Sequence, residues 1–169
     1  MTSTAAMDGD KDTLPRITAV IGVWTRGNRT YYVHRSDTMR NYPGAWSLFS
    51  EQYDPAEIDP DDRAEVKKVF DRMSKRRLGG VQIKVGPLIS ARSRYNHALG
   101  SSVTLRLFEI ELEDEPMLNP EFYSEAAWLT NDEFRKRVTA VPCGMCTRML
   151  SDYRIQRGEI DEPLVELAH

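Results

Sequence analysis

Apolar residues in this chain first alternate, then recur at helical spacing, then alternate again. Ile17 to Trp24 (I-T-A-V-I-G-V-W) is partly alternating and rich in β-branched residues, which predicts a strand. Arg26-Gly27-Asn28-Arg29 reads as a turn, because Gly and Asn tolerate positive φ, and Thr30 to His34 returns as the second arm of a hairpin. Asp37 to Gly44 is predicted as loop, closed by Pro43-Gly44, and Trp46 to Phe49 as a short extended segment. Asp54 to Asp62, acidic and holding Pro55 and Pro60, is a second loop. Pro60 among Asp59, Asp61 and Asp62 marks a helix start, since proline suits the first turn and carboxylates favour the positive end of the dipole. Val66, Val69, Phe70 and Met73 then fall on one face of a helix running from Asp61 to Arg77. Lys75, Arg76 and Arg77 fill its last turn, and Gly79-Gly80 stops it.

Beyond that helix, Val81 to Ile89 predicts a strand interrupted at Gly86-Pro87, and Ala91 to Gly100 a polar loop holding Arg92, Arg94, Tyr95 and His97. Val103 to Leu112 alternates again, Glu115 to Pro120 is turn-rich, and Ala126 to Leu129 gives a short strand. Thr130 followed three residues later by Glu133 has the spacing of a capping box, so a short helix opens there. Cys143 to Arg157 predicts a last helix with Met145, Met149, Leu150 and Tyr153 on one side. The ends, 1–14 and 158–169, are expected to be a disordered tail and a peripheral tail around one domain over 15–157. Hairpin, helix, strands and helix in this order predict an α/β fold, a mixed sheet with helices against its faces.

Composition narrows the functional classes. The chain has 169 residues, 40% hydrophobic and 29% charged, enough for one soluble domain with a full core. A net charge of -3 gives no general pull toward nucleic acid or an anionic membrane. No apolar run approaches the roughly 20 residues that span a bilayer. Met1 to Asp12 lacks the apolar stretch of a signal peptide, and two cysteines in one short segment do not make a secreted disulfide framework, so a cytoplasmic setting is expected.

Three stretches carry a resemblance. Pro43-Gly44-Ala45-Trp46-Ser47-Leu48, then Arg72-Met73-Ser74-Lys75-Arg76-Arg77-Leu78-Gly79, then Glu125-Ala126-Ala127-Trp128-Leu129-Thr130-Asn131-Asp132-Glu133 come in the order and character of the Nudix superfamily. Its signature box, G-x5-E-x7-R-E-U-x-E-E-x-G-U with U a bulky aliphatic, usually follows a W-x-L-P-G-G turn. The chain resembles that family from Ile17 to about Arg157, which implies a mixed β-sheet sandwiched between α-helices. It also implies hydrolysis of a diphosphate linked to another group, with magnesium or manganese held by carboxylates on one helix face.

The box itself is degenerate. With Gly79 on the box glycine, Arg72 matches the family arginine, Met73 replaces a glutamate, Ser74 the aliphatic, and Arg76 and Arg77 replace the paired glutamates. After Trp46 the turn reads Leu48-Phe49-Ser50-Glu51, without its proline and glycines, and the stretch from Glu51 to Arg72 is longer than the box allows. A hard cation needs anionic oxygen ligands, whereas guanidinium offers only donors and positive charge. Two readings of Arg76 and Arg77 follow: cations that simply stabilise a helix C-terminus, or cations that take a phosphate or carboxylate directly through bidentate hydrogen bonds.

Other candidates surround them. Glu51, Glu57 and Glu65 could rebuild a carboxylate site, with Glu65 close to the upstream box glutamate but out of register. Glu125, before the Trp128 strand, stands where some relatives place a base. Arg35, Trp46 and Arg92 complete a candidate ligand surface, and the resemblance puts the pocket between the Tyr42–Glu51 turn, the end of the helix and the strand near Glu125. Cys143-Gly144-Met145-Cys146 has metal and redox spacing, but four zinc ligands cannot be assembled convincingly from it and His34, His97 and His169. No cysteine lies near Trp46–Glu51, where the related isopentenyl-diphosphate isomerases use one. The expected ligand is a small phosphorylated molecule, with no cofactor expected and magnesium needed only for a hydrolase. A regulatory module that keeps only the fold, or metal-independent isomerase, lyase or transferase chemistry, is the alternative.

Overall fold

The computed structural model describes residues 16–96, 100–138 and 144–165. Two sheets carry the fold. In the first, strands run in the order β5 (Phe49–Gln52), β1 (Arg16–Val23), β7 (Ser101–Leu112), β6 (Ile83–Asn96). β1 lies antiparallel to β5 and parallel to β7, and β7 antiparallel to β6, so the sheet is mixed. In the second, β3 (Arg29–Arg35) pairs with the short β2 (Thr25–Arg26) and β4 (Trp46–Ser47), and on its other side with β8 (Tyr123–Leu129).

β1 is buried on both faces, and its period of two splits the core. Ile17, Ala19, Ile21 and Val23 join one apolar cluster, while Val20 joins the other. On the second side lies α1 (Arg63–Arg77), whose Val66, Val69, Phe70 and Met73 are all buried, the face expected from their spacing. A Cβ on Gly22 would lie 2.4 Å from Ile110 Cδ1 and 3.2 Å from Phe70 Cε1, so the missing side chain lets Phe70 close on the sheet. On the first side lie Phe134 of α2 (Asn131–Arg137) and Met145, Met149 and Leu150 of α3 (Met145–Gln156). The arrangement is the mixed sheet between helices that the sequence predicts.

Local signals hold at several element ends. Thr130 and Glu133 form the reciprocal capping box, and the Thr130 backbone N–H holds the Glu133 carboxyl below the usual carboxylate range. α1 starts later than Pro60 suggests: Asp62 is the N-cap, its side chain accepting from the Ala64 and Glu65 backbones. Gly79 and Gly80 follow the helix with φ of 75° and 83°, and the Gly80 N–H returns to the Ser74 carbonyl.

Three expectations are corrected. The polar stretch from Ala91 is strand rather than loop as far as Asn96, paired with β7 in register from Ala91↔Arg106 to Asn96↔Ser101. It lies at the sheet edge with Ser93, Arg94 and Tyr95 exposed, so its composition resembles a loop while its backbone is saturated by β7. The short strand near Trp128 begins at Tyr123. The C-terminal tail is not peripheral over its described part: Ile160, Leu164 and Val165 are buried in the α3-side cluster, and the Leu164 N–H donates to Ser151 Oγ at 2.9 Å. Residues 1–15, His97, Cys143 and 166–169 lie outside the described residues.

Candidate ligand site

β5 positions two distinct chemical environments. Phe49 and Glu51 turn toward α1 and are fully buried, whereas Ser50 and Gln52 line a cleft against the other side.

On the α1 side, one carboxylate meets three guanidiniums. Glu51 Oε2 accepts from Arg72 Nε at 2.7 Å and from Arg76 Nη1 at 2.6 Å, and Arg77 Nε stands 3.1 Å from Oε1. That last contact is an ion pair by distance but poorly directed for a hydrogen bond. Helical geometry places Arg72 and Arg76, four apart, side by side. Arg77 projects from another, buried face at the C-terminal end of α1 and meets the other carboxylate oxygen. Exposure falls steeply through the cluster: Arg72 49%, Arg76 27% and Arg77 1% by side chain. Arg77 also donates to Tyr123 Oη at 3.2 Å, and the Phe122 ring lies 5.2 Å from the Arg76 guanidinium and 4.4 Å from that of Arg77. Tyr123 Oη in turn accepts from the Ser50 backbone N–H at 3.1 Å, while Arg72 donates to the Gln52 carbonyl. The cluster therefore braces the backbone of β5 as well as its acidic side chain.

This donor set does not suit a divalent cation. Both Glu51 oxygens face guanidiniums, and the positions aligned with the paired glutamates present cations. Among the described residues no three acidic, histidine or cysteine side chains come together in a way that could hold a metal ion.

On the opposite side, a cleft of about 80 Å³ has walls of Ile17, Ala19, Ile21, Val103 and Leu105. Its polar lining includes Arg35, Tyr42, Ser47, Ser50, Gln52 and Cys146. Arg35, 6% exposed, is the cation of this lining, and its Nε donates to the Asn41 carbonyl at 2.7 Å. Tyr42, just before Pro43-Gly44, has φ of 51°, a conformation costly for an aromatic residue and typical of constrained loops near sites. Cys146 is buried with its thiol 3.2 Å from Ser47 Oγ.

The structure thus gathers some of the sequence candidates and scatters others. Glu51, Arg72, Arg76 and Arg77 come together, and Arg35 lines the cleft. Glu65 instead pairs with Lys68 at 2.9 Å in the first turn of α1, seven residues and roughly 10 Å of helix from Arg72. Glu125 is exposed on β8 opposite His34. Trp46 is buried against His34, with the Arg137 guanidinium 4.9 Å from its ring, and Arg92 pairs with Asp152 of α3 at 2.8 Å. The expected pocket keeps its Tyr42 boundary, but neither the helix end nor Glu125 lines the cleft. Ser47, Ser50 and Gln52 were missed as lining residues. The period of two along Phe49-Ser50-Glu51-Gln52 is the signal that separates them from Glu51.

No protein-family model and no curated protein matches the chain by sequence. Solved structures do match. A Nudix hydrolase from Nitrosomonas europaea superposes with a TM-score of 0.64 at 15% identity, over 88% of this chain and 93% of that one. A MutT protein from Methanosarcina mazei gives 0.61 at 16% identity, over 85% and 95%. An ADP-ribose pyrophosphatase from Streptococcus suis gives 0.53 at 12% identity, over 90% and 98%. The chain carries a Nudix-fold domain.

Proposed function

We propose that this Nudix-fold domain binds a nucleotide or other organic diphosphate in the cleft beside Arg35, and hydrolyses it weakly or not at all. The observation that carries this reading is the occupation of Glu51 by three arginines where the resemblance calls for metal-binding carboxylates. A domain that has lost those carboxylates loses the usual means of activating water on a phosphoanhydride. It keeps a concave site with apolar walls and a buried cation, a common design for holding an anionic organic ligand. The names of the similar structures, one of them an ADP-ribose pyrophosphatase, favour a phosphorylated ligand. No helix among the described residues is long and apolar enough to cross a membrane.

A second reading is a catalytically silent interaction module. It is favoured by the complete burial of Glu51 and the near-complete burial of Arg77, as in a network kept only for structure. A thermal-shift screen of nucleoside diphosphates and nucleotide sugars, with and without magnesium, separates the two. Binding to the native state raises apparent stability, by about 2.7 kcal/mol at a hundredfold excess over Kd. Stabilisation without magnesium by one ligand class supports the binding reading. A silent panel, with no turnover of any member, supports the interaction module.

A further inference from the structure

We propose that a second cavity, between the two sheets beside Trp24, binds a small zwitterion of the amino-acid kind. Its ammonium meets Glu109 and Glu111, and its carboxylate meets the Trp24 indole N–H and Lys84. The cavity holds about 310 Å³, and its lining includes Trp24, Arg26, Lys84, Gly86, Glu109 and Glu111. That volume is at the lower end of the range for small-ligand sites. The cavity lies where β1 ends. Pairing of β1 with β7 stops at Val23↔Glu109, and the chain passes through Trp24 into β2 of the second sheet. No residue lines both this cavity and the cleft beside Arg35, so the inference stands apart from the proposed function.

The donors and acceptors here lack protein partners. Trp24 is 1% exposed, yet its indole nitrogen is buried with no hydrogen-bond acceptor. A buried donor left unpaired is costly, so an acceptor supplied by a ligand gains more here than at the surface. Lys84, Glu109 and Glu111 are exposed, and their side chains make no hydrogen bond or ion pair with another described residue. Lys84 stands directly opposite Glu111 across the β6–β7 pair, and Glu109, two residues from Glu111, projects from the same face. Arg157, at the end of α3, feels the charge of Glu109 but is itself paired with Glu159 at 2.9 Å.

The charges of this lining select the ligand. Arg26 and Lys84 balance Glu109 and Glu111, which favours a molecule carrying both signs over a simple anion or cation. Arg26 lies over the Trp24 and Trp128 rings at 4.9 and 5.2 Å, so its guanidinium already takes the place of a ligand cation on them. The carboxylates of β7 are left to receive the ammonium. Gly86 keeps the wall beside Glu109 bare: a Cβ there would lie 3.0 Å from the Glu109 carbonyl oxygen and 3.3 Å from its Cβ.

Proton–nitrogen correlation spectra of the whole chain test the inference. Each of the three tryptophans gives its own indole peak, and Trp24→Phe assigns the one at issue. Titration with glycine, L-serine and L-glutamine is expected to move the Trp24 indole proton downfield, saturably, with at least one of them. The peak of Trp46, packed against His34, should stay in place. The N-acetyl derivative of the tightest binder lacks the ammonium and its amide lacks the carboxylate. Each should bind about tenfold more weakly, the scale of one charge-assisted hydrogen bond. Glu109→Gln with Glu111→Gln, and separately Lys84→Gln, should weaken binding by a similar factor, with thermal melts establishing that these variants are folded. Lys68→Ala, an exposed charge on α1, should bind as the parent does. No saturable shift of the Trp24 proton with any of the three amino acids, undiminished binding of the N-acetyl or amide derivative, or affinity unchanged in the folded glutamine variants would overturn the proposal.

Discussion

The two sides of β5 are built on opposite electrostatic plans. Toward α1, Glu51 is a buried anion surrounded by cations, and the surroundings are crowded with its own partners. Toward the cleft, Ser50 and Gln52 face a lining in which Arg35 stands among apolar walls. A strand changes face with every residue, so adjacent positions in the chain serve unrelated environments. The difference teaches that one short strand can carry a buried charge network on one face and a cleft lining on the other. Charge is packed densely on the α1 face, and the cleft face is mostly apolar.

Glu51→Gln is the sharpest way to break the comparison. Loss of the carboxylate charge leaves Arg77 buried without its anionic partner, and the expected cost is about 3–5 kcal/mol in urea unfolding. A loss below about 1 kcal/mol would mean that the cluster is not held by charge. Phe70→Ala provides the apolar yardstick on the same helix, with an expected cost of roughly 3–5 kcal/mol. Its dependence on ionic strength should be weak, and a near-neutral result would contradict the packing of Phe70 beneath Gly22.

The cleft side should respond through binding. Arg35→Met is expected to reduce affinity for the organic diphosphate by about 1.5–3 kcal/mol, the scale of a hydrogen bond to a charged group, as read by calorimetry. Unchanged affinity would move the ligand out of the cleft. Smallest of all are the exposed ion pairs. Arg92→Ala removes the contact with Asp152 and should cost about 0.2–1 kcal/mol in thermal unfolding, with no effect on ligand affinity. A large affinity loss there would restore the arginine-rich segment around Arg92 as ligand surface.

Much of this fold is legible in one dimension. The apolar face of α1 and the Thr130 capping box follow from short-range spacing and local hydrogen bonding. The expected hairpin of Ile17–Trp24 with Thr30–His34, in contrast, survives only as β2 against the start of β3, because β1 pairs with β5 and β7 in the other sheet. The second half of β6 is not legible that way, because an edge strand can leave polar side chains in water while β7 satisfies its backbone. The burial of Ile160, Leu164 and Val165 is hidden for a related reason. Sparse apolar residues without a period gain a place in the core only when α3 provides a surface for them.

The candidate site divides along the same line. The sequence by itself determined that positions 72, 76 and 77 carry cations, and residue identity alone decides whether a position can ligate a hard metal. It also determined that Arg72, Arg76 and Arg77 share one end of a helix, through the helical repeat. Only the tertiary structure decided that all three turn inward onto Glu51, that Arg35 enters a cleft, and that Glu65 and Glu125 stand apart from both. Those outcomes depend on which strand lies beside the helix and which face each strand residue presents. Such contacts join residues 20 or more positions apart, and no local pattern in the chain encodes them.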